Sequence, residues 1–62
     1  MPKPMLWTVV AKGYSEHNID SLRLREWITD AEQLGRAIML DVGQSCQATT
    51  SDGTQIGVVR TA

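Results

Sequence analysis

A single cysteine and a single histidine in 62 residues most constrain what this chain can fold into. Cys46 has no partner for an internal disulfide, and Cys46 with His17 cannot supply the four ligands of a structural zinc site. Chains of about 60 residues bury only roughly 60% of their unfolded surface, so their stability is limited, and such cross-links are the usual reinforcement of mini-proteins. The chain must therefore rely on its apolar core, and a partner or a second copy would stabilise it further.

Composition indicates one folded domain and excludes two classes of protein. Hydrophobic residues make up 42% of the chain, which predicts a single compact domain over residues 1–62 with residues 1–4 disordered. A net charge of -1 excludes an electrostatic DNA-packaging protein, because such proteins need a basic surface. No apolar run approaches the roughly 18–20 residues that span a bilayer, and no signal-peptide pattern opens the chain. We therefore expect a cytoplasmic protein without a membrane partner.

Three segments have the composition of β-strands: residues 6–11, 45–50 and 54–60. The last two flank Asp52-Gly53, a dipeptide that is typical of type I′ hairpin turns. Residues 15–20 are polar and follow Gly13, so we predict a loop there. The C-terminal hairpin is the clearest local signal in the chain.

Residues 21–28 fit two different secondary structures. Leu22, Leu24 and Ile28 recur with a period of two, as in a strand that is apolar on one face. Leu24 and Ile28 also open a helical stripe that continues to Leu34. Periodicity alone does not choose between the two.

The residues that follow favour a strand and then a helix. Thr29 and Glu32 have the spacing of a capping box, and Asp30 adds negative charge to the first helical turn. Capping residues act at the first turn of a helix, so the helix is predicted to begin here and residues 21–28 are predicted to be a strand. Gly43 then provides a natural stop for the helix.

The predicted fold is therefore α+β: a small antiparallel sheet of two hairpins packed on one α-helix, in the order β-β-α-β-β. This arrangement is one of the few in which so short a chain can cover its apolar surfaces. The predicted core consists of Val9, Ala11, Leu22, Leu24, Ile28, Ala31, Leu34, Ile38, Ala48, Ile56 and Val58.

The sequence offers little catalytic chemistry. Cys46 and His17 could pair as nucleophile and base, but no local signature surrounds either residue and no third group is placed to orient the base. The carboxylates are scattered without the spacing of a calcium loop, and the glycines form no phosphate-binding loop. We therefore predict a protein that is not an enzyme and that has no cofactor and no metal.

Arginine and tryptophan supply the most informative surface feature. On a strand, Arg23, Arg25 and Trp27 would share the face opposite Leu22 and Leu24, making that face basic and aromatic. Exposed tryptophan and arginine are frequent anchors of protein interfaces and also stack on bases of single-stranded nucleic acid. We predict a partner-binding face that consists of Arg23, Arg25, Trp27 and Lys12.

Trp7 adds weight to an interface in this prediction, because a chain with two Trp, one Tyr and no Phe would otherwise be expected to bury its few large rings. The structural alternative is that Trp27 packs at the sheet edge while the arginines extend into water.

These observations favour a small non-enzymatic protein-binding module, able to form a homodimer, that covers a surface of a larger host complex. Accessory and inhibitory proteins of phages and mobile elements commonly have this size. The first alternative is a nucleic-acid-binding transcriptional regulator. A helix over residues 21–40 would approach helix-turn-helix spacing, although no basic recognition helix follows it. A structural protein and an enzyme that uses Cys46 and His17 are the remaining alternatives.

Overall fold

The structure, a computed structural model, describes residues 4–62, which form four strands and two helices in the order β-β-α-α-β-β. The strands form an antiparallel sheet in the order β2-β1-β4-β3. The elements are β1 (Trp7–Ala11), β2 (Tyr14–Ile19), α1 (Ser21–Trp27), α2 (Ala31–Ile38), β3 (Ser45–Thr49) and β4 (Gln55–Arg60). The α+β class and the antiparallel sheet are confirmed, whereas the prediction of one helix is wrong. We predicted disorder for residues 1–4, and residues 1–3 of this segment lie outside the residues that the structure describes.

Two hairpins lie side by side in the sheet and meet where β1 pairs with β4. Val9 of β1 lies opposite Val58 of β4, and Trp7 lies opposite Arg60. The β3–β4 hairpin turns at Gly53, whose φ of 90° is a left-handed conformation that glycine adopts without strain. The position of the hairpin is thus confirmed, but the turn is not type I′, because five residues connect the strands and Asp52 does not share the positive φ of Gly53.

Strand β2 occupies the segment that we predicted to be a loop. The segment lacks the alternating apolar pattern that predicts a strand, because only Ile19 at its end is fully apolar and buried. A bulge lies between the pairs Trp7↔Ile19 and Val9↔Glu16, where β2 carries one more residue than β1. Asn18 has a φ of 55° within this bulge, a conformation that asparagine tolerates better than most residues. The extra residue turns Ile19 to the core and breaks the alternation by which a strand is recognised.

Helix α1 replaces the strand that we predicted over residues 21–28. Asp20 caps it, because its side-chain oxygen accepts the Arg23 backbone N–H at 2.9 Å. One turn apart, Leu24 and Ile28 are buried, while Leu22 is 70% exposed. The helical stripe was thus the correct pattern, and the prediction that Leu22 lies in the core is wrong.

Helix α2 begins one residue later than the capping box predicts. Asp30 is the N-cap, since its carboxylate accepts the Gln33 backbone N–H at 2.9 Å, and Thr29 precedes it. The helix ends at Ile38 rather than at Gly43. Gly43 still takes a left-handed conformation, with φ 90°, but it does so in the turn that leads to β3.

The core lies between the helices and one face of the sheet. It contains Trp7, Val9, Ile19, Leu24, Ile28, Ala37, Ala48, Ile56 and Val58. Six of these residues were predicted; Trp7, Ile19 and Ala37 were not. Three further predicted residues, Ala11, Leu34 and Ile38, pack partly buried against this core, while Ala31 is exposed.

Trp7 is the largest buried side chain and belongs to the fold rather than to an interface. It is 0% exposed, and its indole N–H donates to the Ala37 carbonyl at 2.9 Å. The prediction that Trp7 adds weight to a partner-binding surface is wrong, because a ring buried in this way is closed to a partner.

The opposite face of the sheet carries no helix within residues 4–62, and Val10 there is 48% exposed. At the β3 edge, the Gln33 side chain accepts the Thr49 backbone N–H at 2.7 Å, which occupies a donor that a further strand could use. Neither α1 nor α2 is long and apolar enough to cross a membrane.

Candidate partner-binding site

The helical conformation of residues 21–27 separates the arginines that we predicted to share a face. Residues two apart in a helix differ by about 200° around its axis, so Arg25 lies across the helix from Arg23. Residues four apart are neighbours, and the Arg23 guanidinium carbon lies 5.7 Å from the Trp27 ring centroid. The prediction that Arg23, Arg25 and Trp27 share one face is therefore wrong. Whether each of these residues contacts a partner is not tested and stays a prediction.

Arg23 is not a free basic group, because two carboxylates surround its guanidinium. Its Nε donates to Glu16 Oε2 at 2.7 Å and its Nη2 donates to Glu16 Oε1 at 2.9 Å. Its Nη1 donates to Glu26, one turn along α1. The positive charge that the sequence placed beside Trp27 is thus matched within the protein itself.

Glu16 also holds Trp27 in place from the neighbouring strand. The indole N–H of Trp27 donates to Glu16 Oε2 at 3.2 Å, and the Tyr14 hydroxyl donates to Glu16 Oε1 at 3.5 Å. The Tyr14 and Trp27 rings lie 5.9 Å apart between centroids, tilted by 31°. We call Tyr14, Glu16, Arg23, Glu26 and Trp27 the Trp27 cluster.

Sequence analysis missed Tyr14 and Glu16 because it assigned no strand to them. The available signal was their spacing: alternate residues of a strand point to the same face. Both lie on the side of β2 that faces the helices, since Glu16 pairs with the buried Val9 and Tyr14 pairs with Ala11. Their contacts with α1 required the packing of the helix against β2 to be known.

The electrostatics of the Trp27 cluster are set by Glu16. Hydrogen bonds from Arg23, and next from Trp27, lower the pKa of the Glu16 carboxyl from 4.5 to about 2. In the β3–β4 turn, hydrogen bonds from the Thr50 hydroxyl and from Thr54 lower the pKa of Asp52 from 3.8 to about 2. Both carboxylates therefore remain charged at any pH near neutrality.

The lowered pKa of Glu16 predicts a specific acid sensitivity. Above about pH 4.5 the carboxylate is charged in the folded and unfolded chains, and its contribution to stability is fully present. Between 4.5 and about 2 the unfolded chain takes up a proton that the folded chain does not, so stability falls as the pH falls. Glu16→Gln is expected to lower the melting temperature at pH 7 and to flatten its decline across this interval. Melting curves at four pH values test this, and a decline as steep as that of the unaltered protein would contradict it.

A cleft of about 250 Å³ opens beside Trp27, between α1 and the β3–β4 turn. Half-buried Trp27 forms its aromatic wall, and the cleft also exposes two carboxylates and three hydroxyls. We call this feature the Trp27 cleft; its lining residues are Glu26, Trp27, Thr50, Ser51, Asp52 and Thr54. A smaller cleft, of about 100 Å³, lies between α2 and the β3 edge and has no aromatic lining.

Charge around the Trp27 cleft is the reverse of what the sequence suggested. Three carboxylates, those of Glu16, Glu26 and Asp52, line the cleft or contact Trp27, against the single guanidinium of Arg23. Lys12 lies in the exposed turn between β1 and β2, and within residues 4–62 it makes no ion pair with the cluster. The structure therefore brings together Arg23 and Trp27 in an acidic setting rather than a basic one.

The structure separates Cys46 from His17. They lie on β3 and β2, at opposite edges of the sheet, about 14 Å apart by strand spacing. Cys46 is on the helix side, and burial raises the pKa of its thiol, whereas His17 is on the uncovered face beside Thr8 and Ser15. The two residues cannot act together as nucleophile and base. Within residues 4–62, no group of three or more His, Cys, Asp or Glu side chains could hold a metal ion.

Comparison of the chain with protein-family models, with curated protein sequences and with solved structures finds no match.

Proposed function

We propose that this chain is a non-enzymatic protein-binding module, in the cytoplasm, that covers a surface of a larger protein through the Trp27 cleft. We further propose that it acts as an accessory or inhibitory factor of the phage or mobile-element type, directed at a host complex. The observation that carries the proposal is the contrast between the two tryptophans. Trp7 is buried in the core, whereas Trp27 is half-buried and forms a wall of an open cleft.

The way in which Trp27 is held also suits an interface anchor. Tryptophan is enriched among the residues that contribute most to protein–protein binding. Its ring is fixed by a hydrogen bond to Glu16 and by the neighbouring ring of Tyr14, so little side-chain freedom remains to be lost on binding. Tyr14 is itself 53% exposed and extends the aromatic surface. A rigid, partly exposed aromatic pair is a suitable contact for a protein partner.

The charges around the Trp27 cleft weigh against the nucleic-acid-binding alternative. A polyanion would meet more carboxylates than cations there, and binding to phosphates requires the opposite balance. Arg23 already pairs with Glu16 and Glu26, and Arg25 lies across the helix. The surface around Trp27 therefore supports a protein partner in preference to a nucleic acid.

Two matched substitutions test the proposal by filling the cleft without removing any core contact. Ser51→Tyr places a ring at the lining of the cleft, and Ser45→Tyr places the same ring at an exposed position of strand β3, outside the cleft. Proteins recovered from lysate of the native host by the unaltered chain should be recovered equally by Ser45→Tyr. Recovery by Ser51→Tyr should fall roughly tenfold or more, because hot-spot contacts contribute about 2 kcal/mol or more. Far-UV circular dichroism checks that both variants fold, and equal recovery by both would overturn the proposal.

A further inference from the structure

We propose that the occupant of the Trp27 cleft is an arginine side chain carried by the partner protein. The inference rests on the proposed function and adds the chemistry of the ligand. It follows from two features that lie together in one cleft: an aromatic wall and an excess of negative charge.

Carboxylate groups at two places on the cleft are available to a cation. The side chain of Glu26 is 65% exposed, and its hydrogen bond to Arg23 uses Oε2 alone. Asp52 accepts hydrogen bonds from Thr50 and Thr54 through Oδ1, and these bonds keep its carboxylate charged at the cleft near neutral pH. A guanidinium group carries five N–H donors in a planar fork, so it can reach more than one such oxygen.

The aromatic wall favours the same ligand. A cation within about 6 Å of a ring centroid is attracted by the tryptophan face, and arginine is the side chain that most often makes this contact. Arg23 already does so within the molecule, at 5.7 Å from the Trp27 centroid. Arginine also stacks on rings more readily than lysine, because its planar group is less strongly hydrated. The Ser51 hydroxyl supplies a further acceptor at the edge of the cleft.

Nuclear magnetic resonance of the whole chain can test this with a defined probe. The probe is the peptide acetyl-Gly-Arg-Gly-amide, and the control peptide has citrulline, which is nearly isosteric but uncharged, in place of arginine. The indole N–H signals of the two tryptophans report separately on the cleft and on the core. We expect the arginine peptide to shift the Trp27 signal in a saturable way and to leave the Trp7 signal unchanged, because Trp7 is fully buried. The citrulline peptide should shift neither.

A matched pair of variants tests the carboxylate. Glu26 and Glu32 are both exposed glutamates, and each pairs with an arginine of its own helix, Glu26 on α1 and Glu32 on α2. Only Glu26 lines the cleft. Glu26→Gln should weaken binding of the arginine peptide by about threefold, as expected for an exposed ion pair, and Glu32→Gln should leave it unchanged. Equal effects of the two variants would overturn the assignment of Glu26.

The outcomes separate this inference from the proposed function. Equal shifts by the arginine and citrulline peptides, or no shift by either, would overturn the arginine assignment. A Trp27 signal that moves on dilution of the protein alone would assign the cleft to a second copy. A shift by oligothymidylate would assign it to nucleic acid. The Ser51→Tyr comparison stands apart from these results, because it reports whether the cleft captures a protein at all.

Discussion

Trp7→Ala is expected to cost about 3–5 kcal/mol of stability, the range for removing a large aromatic side chain from a core. The indole is 0% exposed, lies among the other core residues and donates its N–H to the Ala37 carbonyl at 2.9 Å. The total stability of a domain is roughly 5–15 kcal/mol, and so small a chain is expected near the lower end. The variant should therefore lose most or all of its cooperative unfolding transition in urea, followed by circular dichroism.

Phenylalanine at each tryptophan position provides the control. Trp7→Phe keeps an apolar ring in the core but removes the hydrogen bond to Ala37, so we expect a loss of about 1–3 kcal/mol. Trp27→Phe removes a weaker hydrogen bond at a half-buried site, and we expect a loss of about 1 kcal/mol or less. A Trp7→Ala variant that unfolds within about 1 kcal/mol of the unaltered chain would contradict the position of Trp7 in the core.

Leu24→Ala and Leu22→Ala are expected to differ strongly although the two residues are only two positions apart. Leu24 is 0% exposed, and its truncation should cost about 2–5 kcal/mol. Leu22 is 70% exposed, and its truncation should change stability by no more than about 0.5 kcal/mol. Urea unfolding of both variants gives the two values directly.

This pair also distinguishes the two interpretations of residues 21–28. On a strand, positions two apart share a face, so both leucines would be buried and both substitutions would destabilise alike. On helix α1 they lie on different sides, and only one contacts the core. Similar losses for the two variants would therefore restore the strand and, with it, the basic face of Arg23, Arg25 and Trp27.

The position of α1 also determines the proposed site. Its buried residue Leu24 holds the helix on the core, and this leaves Arg23 and Trp27 beside β2. From β2, Glu16 bonds to both residues at once. Stability and the proposed partner binding thus depend on the same helix, so a test of binding needs variants that spare Leu24 and the core.

Some parts of the candidate site could be read from the residues. Trp27 and Arg23 were singled out, and they lie together. Their acidic surroundings could not be predicted, because Glu16 is seven positions before Arg23 and Asp52 lies in a distant turn. Nothing in the local sequence indicates that these carboxylates and Trp27 lie close together. The sign of the charge at the site is a property of how β2, α1 and the β3–β4 turn pack.

The sequence by itself determined the features that depend on a few adjacent residues. Asp52-Gly53 specifies the C-terminal hairpin, because glycine takes the left-handed conformation of the turn without strain. The apolar content of β1 and β4 specifies strands that must bury one face. The class of fold follows from these elements together with the capping signal before α2, since a helix packed on the sheet is one of the few ways in which so short a chain can cover that face.

Tertiary structure decided the remainder, namely the conformation of residues 21–27, the strand β2 and the charge around Trp27. The apolar spacing of residues 21–27 fits either a strand or a helix. The need to cover Trp7 and Val9 favours the helix, because the helix places Leu24 and Ile28 over the sheet. Strand β2 has little apolar pattern of its own and owes its conformation to pairing with β1. In each case local preferences nearly cancel, so contacts with residues distant in the chain decide the outcome.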